Sequence, residues 1–321
     1  MTRLQAASQA PSNVALFFAV DDARGEPVPD LRAHDFRIFE DGKLVSVDES
    51  KQTIVSPELA ADHHTLLLVD MSASVTASDQ LAAIAAATRE FVTTLEPHQH
   101  VAVYAFDGSK NLYEVLPFAH SPTQTQQVLE RLRAFESKDF STNLHGALLA
   151  ALAELDQSLQ RGAAPLHFGS LVVFTDGTDR ANRVPYQQMI DAVEASAHSV
   201  FALGVGREID DSTLARIGKS GYIRAEDSAA SHAAFREIAE RIVRLTRRYY
   251  LLSYCSPARA GQHTVTIEAS AQGRRGRIDY AFDASGFGPS CDPSRPPAFD
   301  GAARSLELQA SPDDVTRAQR P

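Results

Sequence analysis

The sequence predicts an α/β protein: a doubly wound, mostly parallel, Rossmann-like sheet inserted into a discontinuous β-sandwich. Three observations predict it. From His64 onward, short all-apolar runs alternate with longer amphipathic segments rich in Ala and Leu, the order that a parallel sheet with crossover helices requires. On either side, from Val14 to about Pro57 and again beyond Arg247, the chain instead shows strand-type spacing broken by turn residues. Neither flank has enough strands to stand alone, so the two are expected to complete one sandwich together.

In chain order, "VALFFAVDD" reads as a strand, "ARGEPVPDL" as turns, and "DFRIFEDGKLVSVDES" as a hairpin. Within that hairpin Phe36, Ile38 and, past the Asp41-Gly42 turn signal, Leu44 or Val45 fall on strand-like spacings. The α/β region offers the strands "TLLLVD", "VAVYAF", "SLVVFTD", "SVFALGVG" and "YIRAED". Helices are expected over Asp79–Leu95, Thr125–Phe135, Leu144–Gln160, Tyr186–Ala197 and Ser228–Arg247, punctuated by Pro97, Pro122, Gly162, Pro165 and Gly221. The "GVG" at Gly204–Gly206 lacks the third glycine of a dinucleotide loop and reads as a tight turn. His63 and His64 read as a solvated junction, and Tyr249 and Tyr250 as either core or rim. Three closing strands, "YYLLSYC", "HTVTIEAS" and "GRIDYAFDA", return the chain to β structure. The expected domains are 12–61 with 248–284 for the sandwich, 62–247 for the α/β domain, and a flexible Pro-rich tail over 285–321.

Composition narrows the function. The 321 residues are 44% hydrophobic, enough for real cores, and carry 41 acidic against 31 basic side chains, a formal charge of −10. With no basic run to neutralise a phosphate backbone, nucleic acid is excluded as a partner. No apolar run suffices to span a bilayer, and "MTRLQAASQAPSN" lacks the core of a signal peptide, so the chain as it stands is expected to be soluble, any export signal having been removed. Cys255 and Cys291 are either two free thiols or a disulfide tying the tail to a strand end, the latter requiring an oxidising compartment.

The chemistry gathers at strand tips. Ligands of an open parallel sheet bind at the carboxyl ends of its strands, where Asp70 and Asp176 are expected. After Asp70 come Ser72 and Ser74; left extended, that stretch points three oxygens to one side. Thr142, in "DFSTNLHGALLAAL", precedes an apolar helix, where Ser141, Thr142 and Asn143 would serve simply as an N-cap. If that loop also faces the sheet edge, Thr142 adds a further hydroxyl. Hard divalent cations choose such oxygen ligands. A set with two carboxylates at most leaves the ion electrophilic.

The residues "DMSAS", with Thr142 and with Asp176 in "TDG", set on alternating β and α segments, resemble the von Willebrand factor type A domain and its metal-ion-dependent adhesion site. The resemblance covers about residues 62–247, and all five ligand positions match. The flanks "EPVPDLRAHDFRIFEDGK" and "RRYYLLSYCSP" are similar to those of bacterial proteins in which this domain sits within an immunoglobulin-like β-sandwich. The resemblance implies Mg²⁺, or Mn²⁺ or Ca²⁺, on Asp70, Ser72, Ser74, Thr142 and Asp176, with a protein ligand completing the shell through an Asp or Glu. It also implies a location in the periplasm or at the cell surface, and no catalysis. Two alternatives stand beside it: a structural or assembly module whose metal captures nothing, and a phosphohydrolase using Asp70 as nucleophile. Against the second, Ser72 stands where such enzymes carry another aspartate. The loops "DGSKN", "ESKDFS" and "TDRANRVP" would set specificity. From net charge alone, capture of an acidic partner is expected to strengthen modestly with salt.

Overall fold

A computed structural model describes residues 1–55, 61–76, 81–161, 166–206, 210–271, 273–294, 297 and 299. The described residues divide into two compact units, one built of Met1–Ala61 and the described residues from Thr246 onward, the other of those within Asp62–Ala163 and His167–Leu245. The first contains β1 (Thr2–Gln9), β2 (Asn13–Ala19), β3 (Phe36–Glu40), β4 (Lys43–Leu44), the one-turn helix α1 (Val47–Ser50) and β5 (Thr53–Val55). The second follows with β6 (Asp62–Asp70), α2 (Ala73–Thr76), α3 (Leu81–Leu95), β7 (His100–Phe106), β8 (Leu112–Leu116), α4 (Pro122–Arg133) and α5 (Leu144–Leu159). It continues through β9 (His167–Thr175), α6 (Tyr186–Ala195), β10 (Ser199–Val205), α7 (Asp211–Ile217), β11 (Gly221–Ala225) and α8 (Ser228–Thr246). The first unit then closes with β12 (Tyr249–Cys255), β13 (Gln262–Ala271) and β14 (Arg274–Asp283).

In the β unit, two antiparallel sheets of order β1-β2-β12-β5 and β14-β13-β3-β4 share one core. Alternate residues meet there, as a two-residue side-chain period demands: Leu16, Phe18, Tyr250 and Leu252 from one sheet, Phe36, Ile38, Val265 and Ile267 from the other. Asp41 (φ 50°) and Gly42 (φ 78°) make the left-handed turn that fits the twist of a hairpin. Past it Val45 packs on the core, whereas Leu44 is 62% exposed. Tyr249 and Tyr250 are both buried, and the Tyr250 hydroxyl donates to the Val28 carbonyl at 2.8 Å. Buried Glu40 is held by the hydroxyls of Tyr254 (2.8 Å) and Ser256 (2.9 Å), so its carboxylate does not go unsatisfied.

Two expectations for this unit need correction. The sandwich does not begin at residue 12, because β1 pairs along β2; its sequence "TRLQAASQ" has little apolar content, and an edge strand needs little. Residues 285–294 are not a loose tail either. Cys291 is bridged to Cys255 with Cα atoms 5.7 Å apart, and the Asn13 amide and Thr53 hydroxyl donate to the carbonyls of Asp292 (2.7 Å) and Pro293 (3.3 Å). Carbonyl anchoring of this kind leaves no periodicity in a sequence. Residues 300–321 lie outside the described residues.

In the α/β unit the strand order is β11-β10-β9-β6-β7-β8, parallel except for the edge strand β8. The chain winds outward from β6 to β7 and β8, then restarts at β9 on the other side, so the reversal falls between β6 and β9. Leu66 and Leu68 pack with α5, α6 and α7, for example on Leu148, Ile190 and Leu214. On the other face, Phe174 stacks on Phe235 of α8 at 5.4 Å, and Phe235 meets Phe91 of α3 at 6.1 Å. Both faces of the sheet are thus buried, which explains its all-apolar strands.

His63 and His64 are buried rather than solvated: His63 stacks on Phe168 at 5.0 Å, and His64 Nδ1 lies 2.9 Å from the Ser158 hydroxyl. Each sits inside β6, where pairing with β9 overrides the polarity of imidazole. Gly206 adopts φ +81°, the turn expected of "GVG". Helix α7 and strand β8 were not expected, being short and weakly patterned. Asp79, Gly162 and Pro165 lie outside the described residues.

Candidate metal centre

Strands β6 and β9 run side by side with Val69 opposite Phe174, which brings Asp70 against Thr175 at their carboxyl ends. Asp70 is fully buried. Its Oδ1 accepts the Ser72 backbone N–H at 2.9 Å, and its Oδ2 lies 2.8 Å from the Thr175 hydroxyl. The Ser72 and Ser74 hydroxyls are 3.1 Å apart, and Ser74 donates to Asp176 Oδ1 at 3.0 Å. Four of the five expected residues therefore form one hydrogen-bonded run across the two strand tips.

The backbone route differs from expectation. The chain after Asp70 is not extended: the Ser72 carbonyl accepts the amides of Val75 (3.1 Å) and Thr76 (3.0 Å), starting helix α2. The serines meet because the chain turns on Ser72. Thr142 arrives on a separate loop, its carbonyl accepting the amides of Arg180 (2.9 Å) and Ala181 (3.0 Å) from the loop that follows Asp176. It is buried, and among the described residues no hydrogen bond ties its hydroxyl to the other four. Nor do these side chains cap α5: Asn143 occupies the cap position, but its amide donates to the Ser109 carbonyl at 2.7 Å.

Charge at these tips is unbalanced. Burial above all, and then the neighbouring charge of Asp176, push the Asp70 carboxyl up to about 7, against the opposing hydrogen bonds of Ser72 and Thr175. A divalent cation held by both carboxylates would reverse both effects. Among the described residues no three His, Cys, Asp or Glu side chains are grouped as a metal site. An ion held by these side chains would take hydroxyls and carboxylates as ligands, oxygen donors that suit a hard divalent cation more than a soft one. The residues present fit a hard divalent ion.

Further residues organise the loops. Asp107, one residue beyond β7, is buried, and its carboxylate accepts the amides of Ser109 (2.8 Å) and Lys138 (2.8 Å), with that of Asp139 at 3.3 Å. Burial pushes its carboxyl up, but bonds from the Ser109 hydroxyl and these amides outweigh that and hold it below the usual carboxylate range. Arg183 reaches from the third loop to the Gly108 carbonyl (2.7 Å) and to Asp139 (2.8 Å). Gly108 is required by close approach, since a Cβ there would fall 2.1 Å from the Ser141 hydroxyl. Asp179 accepts the His145 amide at 3.0 Å, joining that third loop to the start of α5. Sequence reasoning missed Asp107 and Thr175. The available signal was an aspartate at the end of an apolar run, "VAVYAFD", as at Asp70.

Residues 65–178 match the family model of the von Willebrand factor type A domain. No curated protein matches the sequence. Among solved structures the chain is similar to a von Willebrand factor type A protein from Catenulispora acidiphila, at 14% identity and a TM-score of 0.50, over 88% of this chain and 75% of that one. Lower-scoring likenesses include the manganese-loaded TRAP protein of Plasmodium vivax, at 13% identity and a TM-score of 0.46, over 73% of this chain and 97% of that one. Another is proximal thread matrix protein 1 from the mussel byssus with a zinc-occupied MIDAS motif, at 16% identity and a TM-score of 0.44, over 64% of this chain and 49% of that one. The chain thus spans about half the length of the byssal protein. The doubly wound sheet with its switch point between β6 and β9, and the family match over 65–178, together show a von Willebrand factor type A fold in this part of the chain.

Proposed function

We propose that the protein is a non-catalytic, divalent-metal-dependent binding protein. Asp70, Ser72, Ser74, Thr142 and Asp176 hold Mg²⁺, with Mn²⁺ or Ca²⁺ as substitutes, directly or through water. A protein ligand completes the shell with an Asp or Glu carboxylate. The observation that carries this reading is the run Asp70–Ser72–Ser74–Asp176 at the strand tips, in which burial and then the charge of Asp176 disfavour ionisation of Asp70, a cost that a cation between the carboxylates offsets. When bound, the ion supplies an electrophilic position for an incoming carboxylate. The chain's own residues orient its ligands: the Ser72 amide and Thr175 hydroxyl each fix one oxygen of Asp70.

The β unit, in this proposal, is an immunoglobulin-like sandwich split by the adhesion domain, with segments 12–61 and 248–284 extended at both ends by β1 and by the bridged stretch around Cys291. The protein works outside the cytoplasm, in the periplasm or at the cell surface, a reading supported by the Cys255–Cys291 bridge.

Calorimetric titration with Mg²⁺ tests the site. Binding is expected in the wild type and absent in Asp70→Ala; equal affinity in both would overturn the assignment. Pull-downs from the source envelope, with and without chelator, test the capture. Capture that persists in chelator would favour a structural module, and phosphate-ester turnover lost with Asp70 would favour the enzyme.

A further inference from the structure

Phe140 is 77% exposed, the most exposed of three large apolar side chains that reach solvent among the described residues, beside Leu44 at 62% and Val47 at 50%. A lone surface hydrophobe needs no explanation. Phe140 differs in where it is and in how it is held. The two residues before it, Lys138 and Asp139, give their amides to the buried carboxylate of Asp107. Asp139 in turn accepts the Ser141 amide at 3.1 Å and pairs with Arg183 at 2.8 Å. Two residues on is Thr142, whose carbonyl is pinned by Arg180 and Ala181. The ring is thus presented to solvent from a loop fixed on both sides, beside a proposed metal ligand.

We propose that Phe140 is the apolar anchor of the capture surface, so that the partner segment carries a large apolar side chain within one or two residues of its metal-binding Asp or Glu. The inference rests on the metal-dependent reading above. A preorganised aromatic offers large contact area at little ordering cost, which is what binding hot spots require.

A random peptide display library, panned on the full chain in Mg²⁺ and eluted with chelator, tests this. Eluted sequences are expected to carry an acidic residue next to Phe, Leu, Ile, Met or Trp. For one such synthetic peptide, Phe140→Ala should weaken binding about tenfold and Phe140→Leu much less, with Mg²⁺ affinity by calorimetry unchanged in both. Acidic peptides without an apolar neighbour, or with affinity indifferent to Phe140→Ala, would overturn this inference and leave metal capture standing. A library yielding no chelator-eluted acidic peptide would overturn both.

Discussion

At the scale of single residues, Asp70 couples the site to pH. Its carboxyl is raised from 3.8 to about 7 in the metal-free fold, burial being the larger cause and Asp176 the second. A raised carboxyl binds its proton more tightly folded than unfolded, so its cost to stability is absent below the unfolded value and accumulates as pH climbs from about 4 to about 7. Metal must displace that proton. We therefore expect Mg²⁺ affinity to rise with pH until about 7 and then level off, whereas metal-free Asp70→Asn should lose less thermal stability than wild type between pH 4 and pH 7. Titrations and melts across that range check both; a pH-independent affinity would mean that Asp70 is not the titrating ligand. The five candidate ligands were legible because each interrupts an apolar or helical pattern with an oxygen where a strand ends or a helix starts. Thr175 was not, because its role depends on β6 lying against β9 in one register, and no local pattern states a register.

At the scale of elements, the long strands and helices were legible from periodicity, since each buries a face of fixed period. Short pieces were not: α2 is set by Ser72 capping its own turn, and β1 by the strand it pairs with. The loops have an order that composition hides. Asp107 joins "DGSKN" to "ESKDFS", and Arg183 joins both to the loop after Asp176. Asp107→Asn would put an amide nitrogen, a donor, against backbone N–H groups and leave at least one buried donor unsatisfied. That costs about 1–3 kcal/mol by the usual penalty for such groups. The expected outcome is a lower melting temperature, faster hydrogen exchange at Lys138 and Asp139, and weaker partner capture, with Mg²⁺ binding retained. Loss of metal binding at full stability would instead make Asp107 part of the metal shell.

At the scale of the whole molecule, the change from strand-type to alternating pattern and back marked the two units, but it could not show what ties the chain's later segment down. That depends on Cys291 meeting Cys255, 36 residues apart in sequence, and on carbonyl contacts. In the chain-entropy model a loop of this length contributes about 3–4 kcal/mol. Reduction, or Cys291→Ser, should accordingly lower the denaturant midpoint of the β unit while Mg²⁺ titration of the metal site changes little. Net charge is the second whole-molecule property, and local charge tempers its lesson. A formal charge of −10 would repel an acidic partner and make capture strengthen with salt. Yet screening confines exposed charges to about 10 Å at 0.1 M salt, so an approaching carboxylate senses the nearby loops, not the total. The three loops there carry Lys110, Lys138, Arg180 and Arg183 against Asp107, Glu136, Asp139 and Asp179, a balanced set. Binding of an acidic peptide in saturating Mg²⁺ should therefore depend little on salt, the loops offering neither net attraction nor net repulsion. Replacing Lys110 and Lys138 by Gln leaves those loops net acidic and should make binding strengthen as salt is raised, whereas an association rate that already rises with salt in the wild type would return control to the net charge.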